Sequence, residues 1–336
     1  MNRRLFSGAI AQMVQSEDQQ RKHAANHGDR LKHALVLESL KAVVDSRVWP
    51  TLTYAETHAG AGIYLAEHQS KPSHNIKRLQ QAIHALKKKI DRKEVDSASA
   101  GFEYVSALTR WWDSDENNGK YPGSVVIAGR FLKTTCGTHW SMRVTELEQR
   151  AYNNLLSKMK GCEDYLRNKS FLEELVWLTD QDNLFLLIDP FLCKEAVSLC
   201  PECSELITKV NPDCQGRPRD EHEIVSQNKC GVHQGQIDFR VLDTIFNRCA
   251  KHKQAVVHLW TSGGDRRQIN RRRNLQMIYE HVKGCWDGKN AVVRAYRTPL
   301  DYQHIIIGIA GGVGAVPDIS TEKWKWLKNI VRIDRV

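Results

Sequence analysis

The chain has 336 residues, with 49 Lys and Arg against 39 Asp and Glu for a formal charge of +10. That length admits one large core with insertions or two domains; its nine cysteines, an odd number in a chain too large to rely on disulfide staples, point to free thiols in a reducing, cytoplasmic setting. No stretch reaches the roughly 18–20 continuous apolar residues of a membrane helix, and the opening MNRRLFSGAIAQMVQSEDQQRKH is too mixed for a signal peptide.

In chain order, HAANHGDRLKHALVLESLKAVV carries helical spacing from Leu31 onward, with Asp29 placed to cap the helix. His23, His27, Arg30, Lys32 and His33 crowd into eleven residues there. Lys32 and His33 sit early in the helix, where its dipole disfavours cations. The mismatch suggests a task, such as holding a phosphate or a carboxylate; a solvated arm is the alternative. After Pro50, LTYAETHAGAGIY reads as strand, tight turn and helix. KRLQQAIHALKKKIDRK and FEYVSALTRWW are amphipathic, predicting a helical insertion from which the chain returns at YPGS, Tyr121–Ser124. SMRVTELEQRAYNNLLSKM places a strand at Met142–Glu146 and a helix after it, and FLEELVWL reads as a further helix. The apolar run Leu184–Ile188 in LFLLIDPF lacks alternation, as suits a central parallel strand buried on both faces.

From Cys193 to Gly235 the chain is polar and aperiodic, an inserted loop or subdomain. Then come a helix around IDFRVLDTIFNRCAK, a strand at Ala255–Trp260, a helix around RRNLQMIYEHVKG, and the strands AVVRAY and HIIIGIAG, which predict a terminal hairpin because no long helix separates them. The alternation predicts an α/β doubly wound sheet. It divides the chain into 1–69 (arm and start of the main domain), 70–118 (helical insertion), 119–192 (main domain continued), 193–235 (cysteine-bearing insertion) and 236–336 (main domain completed).

Several constellations carry chemistry. THAGAG follows the first strand, and Gly60 and Gly62 remove bulk where the backbone turns sharply or approaches a ligand, at the sheet edge where cofactors bind. An ordinary tight turn is the alternative. Glu146, ending the next strand, can accept hydrogen bonds from ribose hydroxyls. Asp189, at the tip of the most apolar strand, is placed to accept a hydrogen bond from an amine, with Pro190 stiffening the turn. Cys200 and Cys203 form a CxxC pair, followed by Cys214, His222, Cys230 and His233; Cys200, Cys203, Cys214 and Cys230 are the leading candidates for a structural zinc site, buried thiols being the alternative. Five arginines, Arg266, Arg267 and Arg271 to Arg273, fall within GGDRRQINRRRN, where guanidinium forks suit phosphates and bases as well as a solvated helix face.

The set HAANHGDRLKH, THAGAG, YPGS, TELE and IDPF, in this order and spacing, resembles the bacterial 23S ribosomal RNA adenine-N6 methyltransferases of the large-subunit J type. The resemblance implies a Rossmann-like S-adenosyl-L-methionine-dependent methyltransferase fold with a small helical subdomain, and a cofactor pocket formed by Lys32, His33, His58, Ser124, Glu146 and Asp189, with the turn glycines Gly60 and Gly62. It implies that the target adenine leaves its stack and that its amine is held beside the methyl donor by an Asp-Pro-Pro-Tyr motif. Here that motif reads D189PFL192, so the second proline and the aromatic in its usual place are absent, and Phe191 is left to stack from a shifted position. The cysteine-bearing insertion directly after it is a second departure, suited to altering the substrate or to recruiting a protein partner.

These readings converge on a methyltransferase in which Asp189, Pro190, Phe191 and Lys32 act on the acceptor, and in which the arginine-rich loop draws in nucleic acid, RNA in preference to DNA, for ribosomal RNA processing. Two alternatives remain: a methyltransferase for another amine, and a cofactor-binding or nucleic-acid-binding component of a larger defence or RNA-processing assembly.

Overall fold

The computed structural model describes residues 24–65, 71–136, 139–159, 165–171, 173–189, 198–199, 206–207, 239–251, 254–262, 271–288, 290–298, 302–317, 324–327, 330–331 and 334–335. The first helix, α1 (His27–Ser46), begins four residues before Leu31. Its cap is Asn26, not Asp29: the Asn26 side chain accepts the Asp29 N–H at 2.9 Å. The Asp29 carboxylate instead lies within the first turn, where negative charge meets the exposed amide ends.

Strand β1 (Leu52–Glu56) follows, buried at every position. The turn after it does not open a helix. It leads into β2 (Ile63–Leu65), which pairs antiparallel with β3 (Lys120–Pro122). The helices α2 (Lys71–Asp91) and α3 (Phe102–Trp112) lie between these two strands. Ile76, Leu79 and Ile83 of α2 and Tyr104 and Leu108 of α3 bury into the same apolar cluster as Leu31 and Leu35 of α1. Next come α4 (Ser124–Thr135), β4 (Trp140–Thr145), α5 (Gln149–Lys158), β5 (Leu166–Arg167), α6 (Leu175–Thr179) and β6 (Asn183–Ile188). The β4 strand begins and ends earlier than expected, leaving Glu146 just beyond its tip, and the α6 helix covers only the end of FLEELVWL. In the cysteine-bearing stretch two short strands, β7 (Ser198–Leu199) and β8 (Leu206–Ile207), pair antiparallel. The chain continues with α7 (Phe239–Cys249), β9 (Gln254–Ser262), α8 (Arg271–Trp286), β10 (Ala291–Arg297), β11 (Tyr302–Ala310) and β12 (Asp334–Arg335).

Eight strands form one sheet in the order β12-β10-β11-β9-β6-β1-β4-β5. From β9 to β5 neighbours run parallel, whereas β11 runs antiparallel to both β9 and β10. The expected hairpin of β10 and β11 is present, with β11 inserted between β10 and β9. This mostly parallel sheet with helices on both faces is a Rossmann-like doubly wound α/β fold, as expected. Side-chain alternation divides the core: Tyr54, Phe185 and Leu187 face α1 and α4, whereas Leu184, Leu186 and Ile188 face α7 and α8. As expected, β6 is buried along its whole length. Chain order reverses at β1, which sends β4 and β5 to one side and β6 and β9 to the other; the crevice at such a switch point is where doubly wound sheets bind ligands. No described helix is long and apolar enough to cross a membrane.

Phe185 sits at the centre of this arrangement, its ring stacked with Tyr54 at 5.8 Å and with His258 at 4.8 Å. Phe185→Ala is expected to lower unfolding free energy by about 3–5 kcal/mol, read by urea denaturation; a loss below about 1 kcal/mol would contradict its role as a core centre.

Candidate functional site at the sheet switch point

The turn Thr57–Gly62 is tied to both strands beside β1. Thr57 N–H donates to the Leu187 carbonyl at 3.1 Å and Ala59 N–H to the Thr145 carbonyl at 3.1 Å. The Thr145 hydroxyl donates to the Thr57 carbonyl at 2.8 Å, and Asp189 N–H reaches the Thr57 hydroxyl at 3.4 Å. Gly60 and Gly62 take φ of 64° and 73°, a region side chains disfavour. A Cβ on Gly62 would also fall 2.7 Å from Leu155 Cδ1. The Gly62 carbonyl accepts the Gly123 N–H at 2.6 Å, which joins the turn to YPGS. Glu146 closes the loop from the other side, its carboxylate accepting Gly60 N–H at 2.6 Å and Glu148 N–H at 2.9 Å.

Lys32 projects from α1 to the tip of β6. Its Nζ lies 2.5 Å from Asp189 Oδ2 and 3.3 Å from Asp29 Oδ1, with only 7% of the lysine side chain exposed. Burial opposes charge on Lys32, but the carboxylates of Asp189, Asp29 and Glu56 outweigh it and hold the amine protonated above the ordinary lysine value. Burial pushes the Asp189 carboxyl upward, and Lys32 works against that rise.

Glu56, the last residue of β1, is fully buried; it accepts the Tyr54 hydroxyl at 2.6 Å and the hydroxyl of Ser124. The Nδ1 of His33 lies 2.8 Å from the Tyr121 hydroxyl, which is itself 3.2 Å from the Tyr104 hydroxyl. His58 Nδ1 lies 2.7 Å from the Thr57 hydroxyl, and its ring tilts against Phe171 at 4.9 Å. Burial lowers the His58 pKa to about 3 and, aided by Lys32, that of His33 well below its ordinary value, so both rings are neutral at pH 7.

Lys32, His33, His58, Gly60, Gly62, Ser124, Glu146 and Asp189 therefore meet at one sheet edge, where hydrogen bonds link α1, YPGS and the tips of β1, β4 and β6. His33 is spent on Tyr121 and packs in the core at 2% exposure. Pro190, Phe191, Arg266 and Arg267, together with Cys200, Cys203, Cys214 and Cys230, lie outside the described residues. β9 runs parallel to β6, so Ser262 ends on the same edge as Asp189, and Arg271 to Arg273 begin α8. Sequence reasoning missed Glu56 and its partner Tyr54, and named Ser124 without the carboxylate it donates to. The available signal was an acidic residue closing an otherwise apolar strand immediately before a glycine turn.

Burial pushes the Glu56 pKa up to about 8 and that of Glu146 to about 7, from an ordinary 4.5. Each carboxyl therefore keeps a proton that the unfolded chain releases, and its contribution to stability falls as pH rises from about 5 to about 8 for Glu56 and to about 7 for Glu146, while the buried neutral rings of His33, His58, His258 and His304 act in the opposite sense below about pH 6.5. Urea denaturation of wild type beside Glu56→Gln isolates the Glu56 share: the stability of wild type relative to the variant is expected to fall as pH rises from about 5 to about 8, and a difference independent of pH would contradict the assignment.

No family model matches the chain, and no curated protein matches it. Among solved structures, the chain is similar to protein LPL1258 from Legionella pneumophila str. Philadelphia 1, of the family model DUF519, with a TM-score of 0.55 and 14% identity over 94% of this chain and 97% of that one. A second structure, titled "putative rRNA-methylase from Clostridium thermocellum", gives a TM-score of 0.35 and 10% identity over 80% of this chain and 96% of that one. The first likeness supports the fold; the second is too slight to carry anything further.

Proposed function

We propose that the chain is an S-adenosyl-L-methionine-dependent methyltransferase that acts on the exocyclic amine of adenine in nucleic acid, RNA in preference to DNA. The observation that carries this reading is the Lys32–Asp189 pair at the tip of β6, beside a glycine turn at the switch point of the sheet.

The residues present fit the cofactor. Asp29 and Asp189 flank Lys32, while burial keeps His33 and His58 neutral and Glu56 protonated at pH 7, an excess of one carboxylate that complements a sulfonium or an ammonium group. The Thr57–Gly62 turn would lie beneath it, and Glu146 would accept from its ribose hydroxyls. When bound, S-adenosyl-L-methionine supplies an electrophilic methyl group. Lys32 occupies Asp189 Oδ2, and among the described residues Oδ1 has no partner, so it is left to accept an N–H of the target amine. That bond orients the nitrogen lone pair, and positioning of this kind is a large source of rate. Formation of the N–C bond would be matched by cleavage of the sulfur–methyl bond, its electron pair staying on the departing thioether sulfur, and the amine proton would leave toward Oδ1 or water. The charge of +10 and the arginines leading into α8 supply attraction to a phosphate backbone.

The test is transfer of labelled methyl groups from S-adenosyl-L-methionine to total RNA and to DNA, alongside calorimetric binding of the cofactor. Wild type is expected to place label in N6-methyladenine of RNA, and Asp189→Ala to lose about 100-fold or more. Label in a different amine would move the acceptor while keeping the enzyme class. Absence of cofactor binding would overturn the methyltransferase reading.

A further inference from the structure

A second cluster of chemically capable side chains lies away from the switch point, between α7 and α8. These helices pack on one face of the sheet through Leu242, Ile245 and Phe246 on one side and Ile278, Tyr279 and Val282 on the other. Beside this apolar seam, Asp243 Oδ1 lies 2.9 Å from His281 Nε2, and Cys285 Sγ lies 4.0 Å from the same nitrogen. All three donor atoms fall within 4.8 Å of one another.

We propose that Asp243, His281 and Cys285 form a zinc site that ties α7 to α8. An imidazole nitrogen, a thiolate sulfur and a carboxylate oxygen are the donors that zinc takes, and their mixed character disfavours magnesium and calcium, which prefer oxygen alone. A tetrahedral ion with bonds of about 2.0–2.3 Å holds its ligands roughly 3.3–3.6 Å apart. The observed 2.9 and 4.0 Å bracket that spacing, so small side-chain rotations bring the three donors onto one ion. His281 and Cys285 stand four residues apart on one helix and so share a face, while Asp243 reaches them from the neighbouring helix. Side-chain exposure of 24% for His281 and 39% for Asp243 opens the cluster to solvent, giving the metal an entry path and a water in the fourth position. A hydrogen bond between Asp243 and His281 alone would hold the helices without the sulfur; the thiol one turn further along makes the set a ligand cluster. Binding displaces the Cys285 thiol proton, so zinc affinity rises with pH. The site is independent of the methyltransferase reading.

The experiment is a zinc titration of the chelator-stripped full chain, comparing wild type with Cys285→Ser and with Asp243→Asn. Metal content and competition with a chromophoric chelator give stoichiometry and affinity. Cysteines 193–230 are unaltered in all three proteins, so any zinc they take cancels in the comparison. Each variant is expected to bind one equivalent fewer, or to hold one equivalent at least about tenfold more weakly, and zinc should raise the melting temperature of wild type more than that of either variant. Circular dichroism confirms that the variants fold, and both replacements are nearly isosteric. Equal stoichiometry and affinity in all three proteins, including the case in which none binds zinc, would overturn the proposal.

Discussion

Lys32 and Asp189 are separated by 157 residues and meet at 2.5 Å in a largely buried contact. Removing either charge from water costs several kcal/mol, and the cost is offset only while the partner stays in place. The tip of the central strand is thereby fixed against the first described helix: separating them would leave a bare ammonium or carboxylate in a low-dielectric crevice. Asp29 and Glu56 reinforce the restraint, since both favour the charged lysine. A lysine early in a helix, unfavourable on dipole grounds alone, is explained by these carboxylates.

Around that pair the sheet edge is built from short, mutually dependent contacts. The tip of β1 is hydrogen-bonded to both neighbouring strands, the glycine turn is fastened by Glu146, and YPGS docks on the turn through Gly123 and onto Glu56 through Ser124. Few of these groups can shift without unpairing another, which makes the crevice a preorganised frame. Its electrostatics are equally set: neutral imidazoles, one ammonium and an excess of carboxylates favour a cationic guest over an anionic one. Polyanion attraction would therefore act on the surrounding surface rather than on the crevice itself.

The sequence disclosed much of this because its strongest signals are local. The unalternating run Leu184–Ile188 could belong only to a strand buried on both faces or to a helix too short to stand, and Asp189 at its end was conspicuous for the same reason. Strand-helix alternation identified the sheet, and the missing helix between β10 and β11 identified the hairpin. What escaped depended on contacts distant in sequence. The strand β2 exists because Tyr121 and its neighbours pair with Ile63–Leu65, across an intervening helical pair, so a local reading continued the turn into a helix. Asn26 displaced Asp29 as cap because caps are set by where the backbone leaves the extended region, which composition does not reveal. Glu56 was overlooked because its partner Ser124 is 68 residues away. His281 and Cys285 are adjacent on a helix face, but their spacing acquires meaning only once Asp243 of α7 stands opposite.

The insertion of β11 between β9 and β10 bears on how the chain assembles. During synthesis β9 emerges before the strand that will cover its outer edge, and that strand lies beyond both α8 and β10. Until Tyr302–Ala310 has been made and threaded into place, the apolar run Ala255–Trp260 presents an unpaired parallel-sheet edge, the kind of surface that recruits other chains. The last step also brings His304 against His258, nitrogens 2.7 Å apart, while His258 Nε2 and His304 Nδ1 have no hydrogen-bond partner among the described residues. Two imidazoles must enter the core uncharged for the strand to seat, because burial lowers the pKa of both. Late closure of the sheet is thus a proton-sensitive event, and acidic conditions would prolong the lifetime of the open-edged intermediate.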